Sequence, residues 1–401
     1  MLRRTFKAFQ YRDFRLLWFG ACTSSIGTWM QEVAQNWLVL TLTNSPFLLG
    51  VDAFLGDIPI FLFSLVGGVI ADRMDRRKLL MISQIIQMVS ALTLAALIAT
   101  QRIQIWHILL SSFVVGTAQA FGGPAYSALV PSLVEKEDLQ NAIGLNSIQF
   151  NLGRVIGPVL GGLAFRYVGP VWCFGLNAVS FLAVITSLLM LKINFKPPRT
   201  GDSILTGMKQ GFGFIRKQAG LEMLVVIAFC MTWLAIPMIT FLPVFAKNVF
   251  NRTELTYTLF LVTSGLGSIT GALTVAALGN VKNKGRVALA MLMALGAGIT
   301  GFSLSQSIPL SCVLLFFSGG VMMCAFAMIS SLVQLITPNE MRGRVMSVYN
   351  VAFRGGMPFG SITTGRLVPI FTAPTVLSVN GLLLLTLGAY FLFVQKRVAE
   401  L

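Results

Sequence analysis

The chain has 401 residues, 55% of them hydrophobic and 11% charged, with a mean hydropathy of +0.79 and a formal net charge of +16. A soluble protein carries roughly a quarter charged residues, so this composition excludes a soluble enzyme and indicates a polytopic helical membrane protein. The cations stand in short connections between apolar runs, where they orient a membrane protein and do not bind nucleic acid.

In chain order, the basic stretch from Met1 to Arg15 leads into an apolar run that continues past Cys22 to Trp37 without a cleavage site, so it reads as a retained span. Runs near the 20 residues that cross a bilayer then recur, giving twelve expected spans: 14–41, 46–71, 79–99, 105–130, 139–166, 170–192, 221–246, 255–279, 286–305, 308–335, 342–369 and 374–395. The even number puts both termini on one side. That side collects Arg3, Arg4, Arg73, Arg76, Arg77, Lys78, Lys196, Arg199, Arg216 and Lys396, against Arg102, Arg166, Lys247 and Arg252 opposite. Both termini are therefore expected in the cytoplasm, with the protein in the cell inner membrane.

The fold class expected is all-α and polytopic. Residues 1–192 form one six-helix bundle, 193–220 a cytoplasmic linker opening with Lys196-Pro197-Pro198-Arg199, and 221–401 a second six-helix bundle. Within the linker Ile204, Leu205, Met208, Phe212 and Ile215 share one helical face, as in a helix lying at the membrane surface. The halves read as repeats: Gly153, Gly157 and Gly162 match Gly356, Gly360 and Gly365 at a constant offset of 203.

Cys22, Cys173, Cys230, Cys312 and Cys324 stand in apolar runs without ligand spacing, and His107 is the one histidine, so no metal site is expected. Gly296-Ala297-Gly298-Ile299-Thr300-Gly301 matches a dinucleotide fingerprint only as text, because it lies inside a span and follows no strand. No phosphate-binding Gly-x-x-x-x-Gly-Lys pattern occurs, so neither a nucleotide nor another cofactor is expected.

The second span ends in a charged hairpin that no hydrocarbon-buried segment could carry. Its order, Gly68-x-x-x-Asp72-Arg73-x-x-Arg76-Arg77, resembles the loop between helices 2 and 3 of the major facilitator superfamily. In the fifth span Gly153, Gly157, Pro158, Gly161 and Gly162 form Gly-x-x-x-Gly-Pro-x-x-Gly-Gly, similar to the motif of antiporter branches of that superfamily. With Gly122-Gly123-Pro124-Ala125 and Leu129-Val130-Pro131, the first half resembles the exporter branch that includes the enterobactin exporter and drug:proton antiporters.

The resemblance covers nearly the whole chain. It implies two pseudo-symmetric bundles and a secondary transporter, not an enzyme, that exports a siderophore-like or drug-like amphipathic compound against protons by a rocker-switch cycle. Uptake or lysolipid and lipid flipping by the same fold, or a non-transporting membrane receptor or enzyme, are the alternatives. The partners expected are a small molecule, protons and the bilayer, with the chain a monomer. The resemblance also places spans 1, 4, 7 and 10 around a cavity, making Trp29, Gln31, Asn36, Gln119, Tyr126, Trp233, Met322, Met323 and Phe326 its candidate lining. One position departs: Ser112 stands where many antiporters carry a span-4 arginine, so that proton relay does not carry over.

Ionisable residues inside spans are costly in lipid and mark pathways or buried pairs. Glu32, Asp57, Arg154 and Arg354 lie deep, and Asp52 and Arg366 nearer the outer surface. Asp57 is expected to meet Arg354 across the halves in one conformation, and Glu32 to pair with Arg154 within the first half, making Asp57 and Glu32 the proton-coupling candidates. Thr337-Pro338-Asn339-Glu340 reads as a capping box opening span 11, against which Asp72 would dock as a gate while Arg76 or Arg77 reaches Glu135 or Glu137.

Overall fold

The computed structural model describes residues 6–192, 204–279 and 283–400. Long helices account for almost all of it, as a bilayer demands of a backbone that must satisfy its own hydrogen bonds. They are α1 (Arg12–Thr43), α2 (Pro46–Arg73), α3 (Arg76–Ala99), α4 (Ile105–Leu129), α5 (Leu139–Tyr167) and α6 (Pro170–Met190). There follow α7 (Ile204–Lys217), α8 (Ala219–Thr240), α9 (Glu254–Leu278), α10 (Lys284–Leu304), α11 (Ile308–Ile336), α12 (Asn339–Phe371) and α13 (Ala373–Ala389). Left-handed residues and prolines set several boundaries. Asn44 (φ 51°) closes α1 before Pro46 opens α2, and Gly169 (φ 89°) precedes Pro170 at the start of α6. The expected spans reappear with ends moved by a few residues. The seventh breaks after Pro237 and continues as a short turn, Leu242–Val244, and a π-helical stretch, Phe245–Val249.

Among the described residues nine helical stretches, in α2–α4, α6, α8–α11 and α13, are long and apolar enough to cross a membrane. Helices α1, α5 and α12 span 32, 29 and 33 residues but are too polar by the same measure. They carry Glu32, Arg154 and Arg354, and also the serines and glycines that let helices approach closely.

Contacts divide the chain into two units, Met1–Thr43 with Leu55–Gly201 and Asn44–Phe54 with Asp202–Leu401. In the first, α1 packs on α5 and α6, and α3 on α4 and α6. In the second, α8 packs on α12, α9 on α11, and α10 on α11 and α13. The glycine-rich text of α10 serves this packing, since Gly296 lies against the Gly381 and Leu385 backbone of α13.

The structure bears on three expectations. Thr337 does not cap α12; its hydroxyl donates to the Val333 carbonyl at 2.6 Å, and Pro338 precedes α12 without a side-chain cap. The reason is local: at the end of α11 the carbonyl one turn back is unpaired and within reach. On α7, Ile215 is buried but Phe212 is exposed, with Arg216 over its ring at 5.9 Å. Gly211 lets the α7 backbone lie against Arg344 of α12, and an exposed Phe212 is what a helix lying at a membrane surface presents to lipid. The linker's opening, including Lys196 and Arg199, lies outside the described residues.

The third expectation concerns the hairpin. Asp75 caps α3 by accepting from the Arg77 and Lys78 amides at 3.0 and 3.4 Å. Arg76 donates to the carbonyls of Ala71 (3.3 Å) and Ala128 (2.9 Å), and Arg77 to those of Leu189 (2.9 Å) and Leu191 (3.2 Å). These acceptors sit at the C-terminal ends of α2, α4 and α6, where unpaired carbonyls and the negative dipole end favour a guanidinium. Glu135 and Glu137 are exposed and take no ion pair from either arginine among the described residues. Gly68 faces open space, and the close approach falls instead on its neighbour Gly67, against the Ala120 carbonyl of α4. Arg73 is exposed, and the side chain of Asp72 lies outside the described residues.

Candidate functional site

The first unit lines an open cavity of about 450 Å³. Five of its helices supply the walls, each through residues that helical periodicity brings to one face. From α1 come Ser24, Ser25, Thr28, Trp29 and Glu32; from α3, Leu80, Ser83, Gln84 and Gln87; from α4, Gln119, Gly122, Gly123, Tyr126 and Ser127. Gln149 and Phe150 of α5 and Phe181 and Val184 of α6 complete it.

Most polar groups in these walls are committed to one another. The Ser83 hydroxyl donates to the Ala118 carbonyl (2.7 Å), the Gln87 amide to the Ser83 hydroxyl (3.2 Å), and the Gln119 amide to the Gln87 oxygen (3.3 Å). Gly122 leaves the room that Ser83 occupies. Gln149 donates to the Ala21 carbonyl (3.1 Å) and the Tyr126 phenol to Asn146 (3.1 Å). On the apolar side Trp29 and Phe150 meet edge to face, their centroids 6.1 Å apart. A cavity of this size, apolar with a few placed polar groups, suits a drug-sized molecule.

The crossing of α1 and α5 holds one wall in place. A Cβ on Gly153 would run into Ser25, one on Gly157 into Trp29, and one on Gly161 would lie 2.7 Å from the Met30 carbonyl. Next to this crossing Arg154 is half-buried on α5 and lies in the field of Glu32 on α1, which lines the cavity.

This arrangement of membrane helices around a substrate-sized cavity has known counterparts. The profile of a major facilitator family described as "Transmembrane secretion effector" matches residues 4–401. The chain belongs to this family. Among its relatives, the multidrug efflux pump Tap of Mycolicibacterium fortuitum is 25% identical over 392 residues, 95% of each chain. Macrolide efflux protein A of Streptococcus pyogenes is 24% identical over 87% of each chain, and the enterobactin exporter EntS of Shigella boydii serotype 4 is 25% identical over 95% of this chain and 91% of its own. The fold is shared with the nucleoside transporter NupG (TM-score 0.72, 16% identity, 96% of this chain and 99% of that one). It is shared too with a POT family transporter (TM-score 0.78, 11% identity, 96% of each). This secretion-effector chain is thus a multi-span membrane transporter of the major facilitator fold and not an enzyme.

Of the residues expected to line a cavity, Trp29, Gln119 and Tyr126 do so in the first unit. Gln31 instead accepts from Asn177 of α6 at 2.7 Å, within a helix interface, and Asn36 is half-buried on α1. In the second unit the Trp233 indole donates to Thr363 (3.0 Å), Met322 is buried, Met323 is half-buried, and Phe326 packs edge-on against Phe353. Asp57 belongs to the first unit and Arg354, exposed on α12, to the second.

Sequence reasoning missed the α3 wall. Its signal was present: Ser83, Gln84 and Gln87 put hydroxyl and amide groups one turn apart on an otherwise apolar span.

Proposed function

We propose that this transporter exports a small amphipathic compound in exchange for protons, alternating its access by rocking its halves, with Glu32 and Asp57 as the proton carriers. The observation that carries the reading is Glu32: a carboxylate that lines the cavity and also lies in the field of Arg154. A carboxylate so placed can exchange its interaction with arginine for a proton as a substrate enters or leaves. Trp29, Phe150 and Phe181 give an amphipathic molecule its apolar surface. The efflux relatives support the outward direction, with Arg154 and Arg354 as charge partners. The excess of cations in one set of connections supports cytoplasmic termini in an inner membrane.

Inside-out vesicles containing the full chain test this reading. With an imposed pH gradient, acid inside, they should accumulate at least one member of a panel of neutral, cationic and anionic amphiphiles, and collapsing the gradient should stop uptake. Uptake that is indifferent to the gradient removes proton exchange.

A further inference from the structure

Among the amides of the cavity, one stands apart. Gln87, Gln119 and Gln149 each donate to a neighbour in the wall, whereas the side-chain oxygen of Gln84 is buried without a hydrogen-bond partner. A buried amide oxygen with no donor carries its full desolvation cost, and a donor arriving in the cavity recovers it. The oxygen itself has almost no exposed surface, but the Gln84 side chain is half-buried and lines the cavity on α3 beside Ser83, whose hydroxyl is already given to Ala118, so a half-turn of its amide brings the oxygen to a donor there.

We infer that Gln84 is the polar anchor for the transported compound, and that the compound is an uncharged amphiphile whose hydroxyl or amide N–H donates to the Gln84 oxygen while its apolar face lies along Trp29 and Phe150. This deepens the export reading of the same cavity and rests on it for the word "transported". The charge follows from the lining. Among the described residues no lysine, arginine or histidine lines the cavity, so an anion finds no partner there. A cation must draw on Glu32, whose field Arg154 already shares. A neutral hydrogen-bonding group meets neither penalty.

The test uses the full chain in lipid nanodiscs with three fluorescent probes of similar size: neutral 4-methylumbelliferyl β-D-glucoside, cationic rhodamine 6G and anionic 8-anilinonaphthalene-1-sulfonate. The glucoside is expected to bind best. Gln84→Met, which keeps the volume and removes the orphan oxygen, should weaken it about tenfold while leaving the ligand-free melting temperature unchanged or higher. Gln84→Asn, which keeps the amide but shortens its reach, serves if the methionine variant fails to fold, and should also weaken the glucoside. Glucoside binding unaffected by these substitutions, no glucoside binding to the wild type, or tighter binding of either charged probe overturns the assignment. The two readings fail separately. Gln84-dependent binding without gradient-driven uptake sinks proton-driven export and keeps the anchor. Gradient-driven glucoside uptake untouched by Gln84→Met keeps export and sinks the anchor.

Discussion

The α1–α5 crossing in the first unit and the α8–α12 crossing in the second are built alike and furnished differently. Gly153 and Gly157 bring α5 onto Ser25 and Trp29 of α1; Gly356 and Gly360 bring α12 onto Thr232 and Trp233 of α8. Around the first crossing stand Glu32, Arg154 and a hydrogen-bonding cavity. At the second, Thr232 returns its hydroxyl to its own backbone and Trp233 ties its indole to Thr363. The repeat has kept the close approach of helices, which packing requires, and let the chemistry at the contact diverge.

The largest effect should come from breaking the crossing itself. A valine at Gly157 meets Trp29 and the Ile26 carbonyl, and one at Gly360 meets Trp233 and Pro237. Each should destabilise the protein by about 3 kcal/mol, at the upper end for overpacking, read as a lower melting temperature in nanodiscs. If Gly360→Val is tolerated and Gly157→Val is not, the two crossings are not equivalent scaffolds. Glu32→Gln preserves the shape and tests the furnishing: gradient-driven uptake should fall about a hundredfold, with glucoside binding retained. Asp57→Asn should likewise spare binding and lower driven uptake about tenfold, and exchanging the charges of Asp57 and Arg354 should restore part of it. Full driven transport in Asp57→Asn would leave the first crossing as the sole seat of coupling.

What could be read from the sequence divides along the same line. The glycine spacing of α5 and α12 and the charges of the hairpin were legible because each is a local pattern with one physical use. The roles of Gln84 and Gln87 were not, since an amide on an apolar span can face a cavity, a neighbour or a headgroup, and only the packing of α3 against α4 and α6 decides. The acceptors of Arg76 and Arg77 were hidden for another reason. They are backbone carbonyls, which every residue possesses, so no side chain advertises them.

Two smaller effects sharpen the contrast at the rim of the first unit where α1 begins. Arg77→Met removes the donor to Leu189 and Leu191 and should cost about 1 kcal/mol, the scale of a charge at a helix C-terminus. Smallest is the strap at Asp138, which accepts from Gln10 and Tyr11 and pairs with Lys7 at 2.8 Å. The hydrogen bond from Lys7 is the main reason its carboxyl is held below the ordinary range. A depressed carboxyl stabilises the folded state above its unfolded value of about 3.9 and loses that contribution as pH falls through the lower folded value. Hydrogen exchange of the Lys7–Tyr11 amides should therefore be flat from pH 7 to 5 after correction for intrinsic rates, and faster in Asp138→Asn at every pH. An unchanged pattern in that variant means the strap is held without Asp138, through the Ala8 amide on Asn141 and its packing.

That strap also dates its own closure. Ala8, Gln10 and Tyr11 hold partners 133, 128 and 127 residues downstream. A ribosome moving at about 5–20 residues per second delivers Asn141 and Asp138 many seconds after Tyr11. Through that interval the segment before α1 has no place to dock, and α1 must sit in the bilayer with its N-terminal end untied. The clasp thus joins residues that precede α1 to residues that open α5, and cannot close before α5 begins to emerge. A substitution at Asp138 or Asn141 would then delay maturation more than it weakens the finished protein.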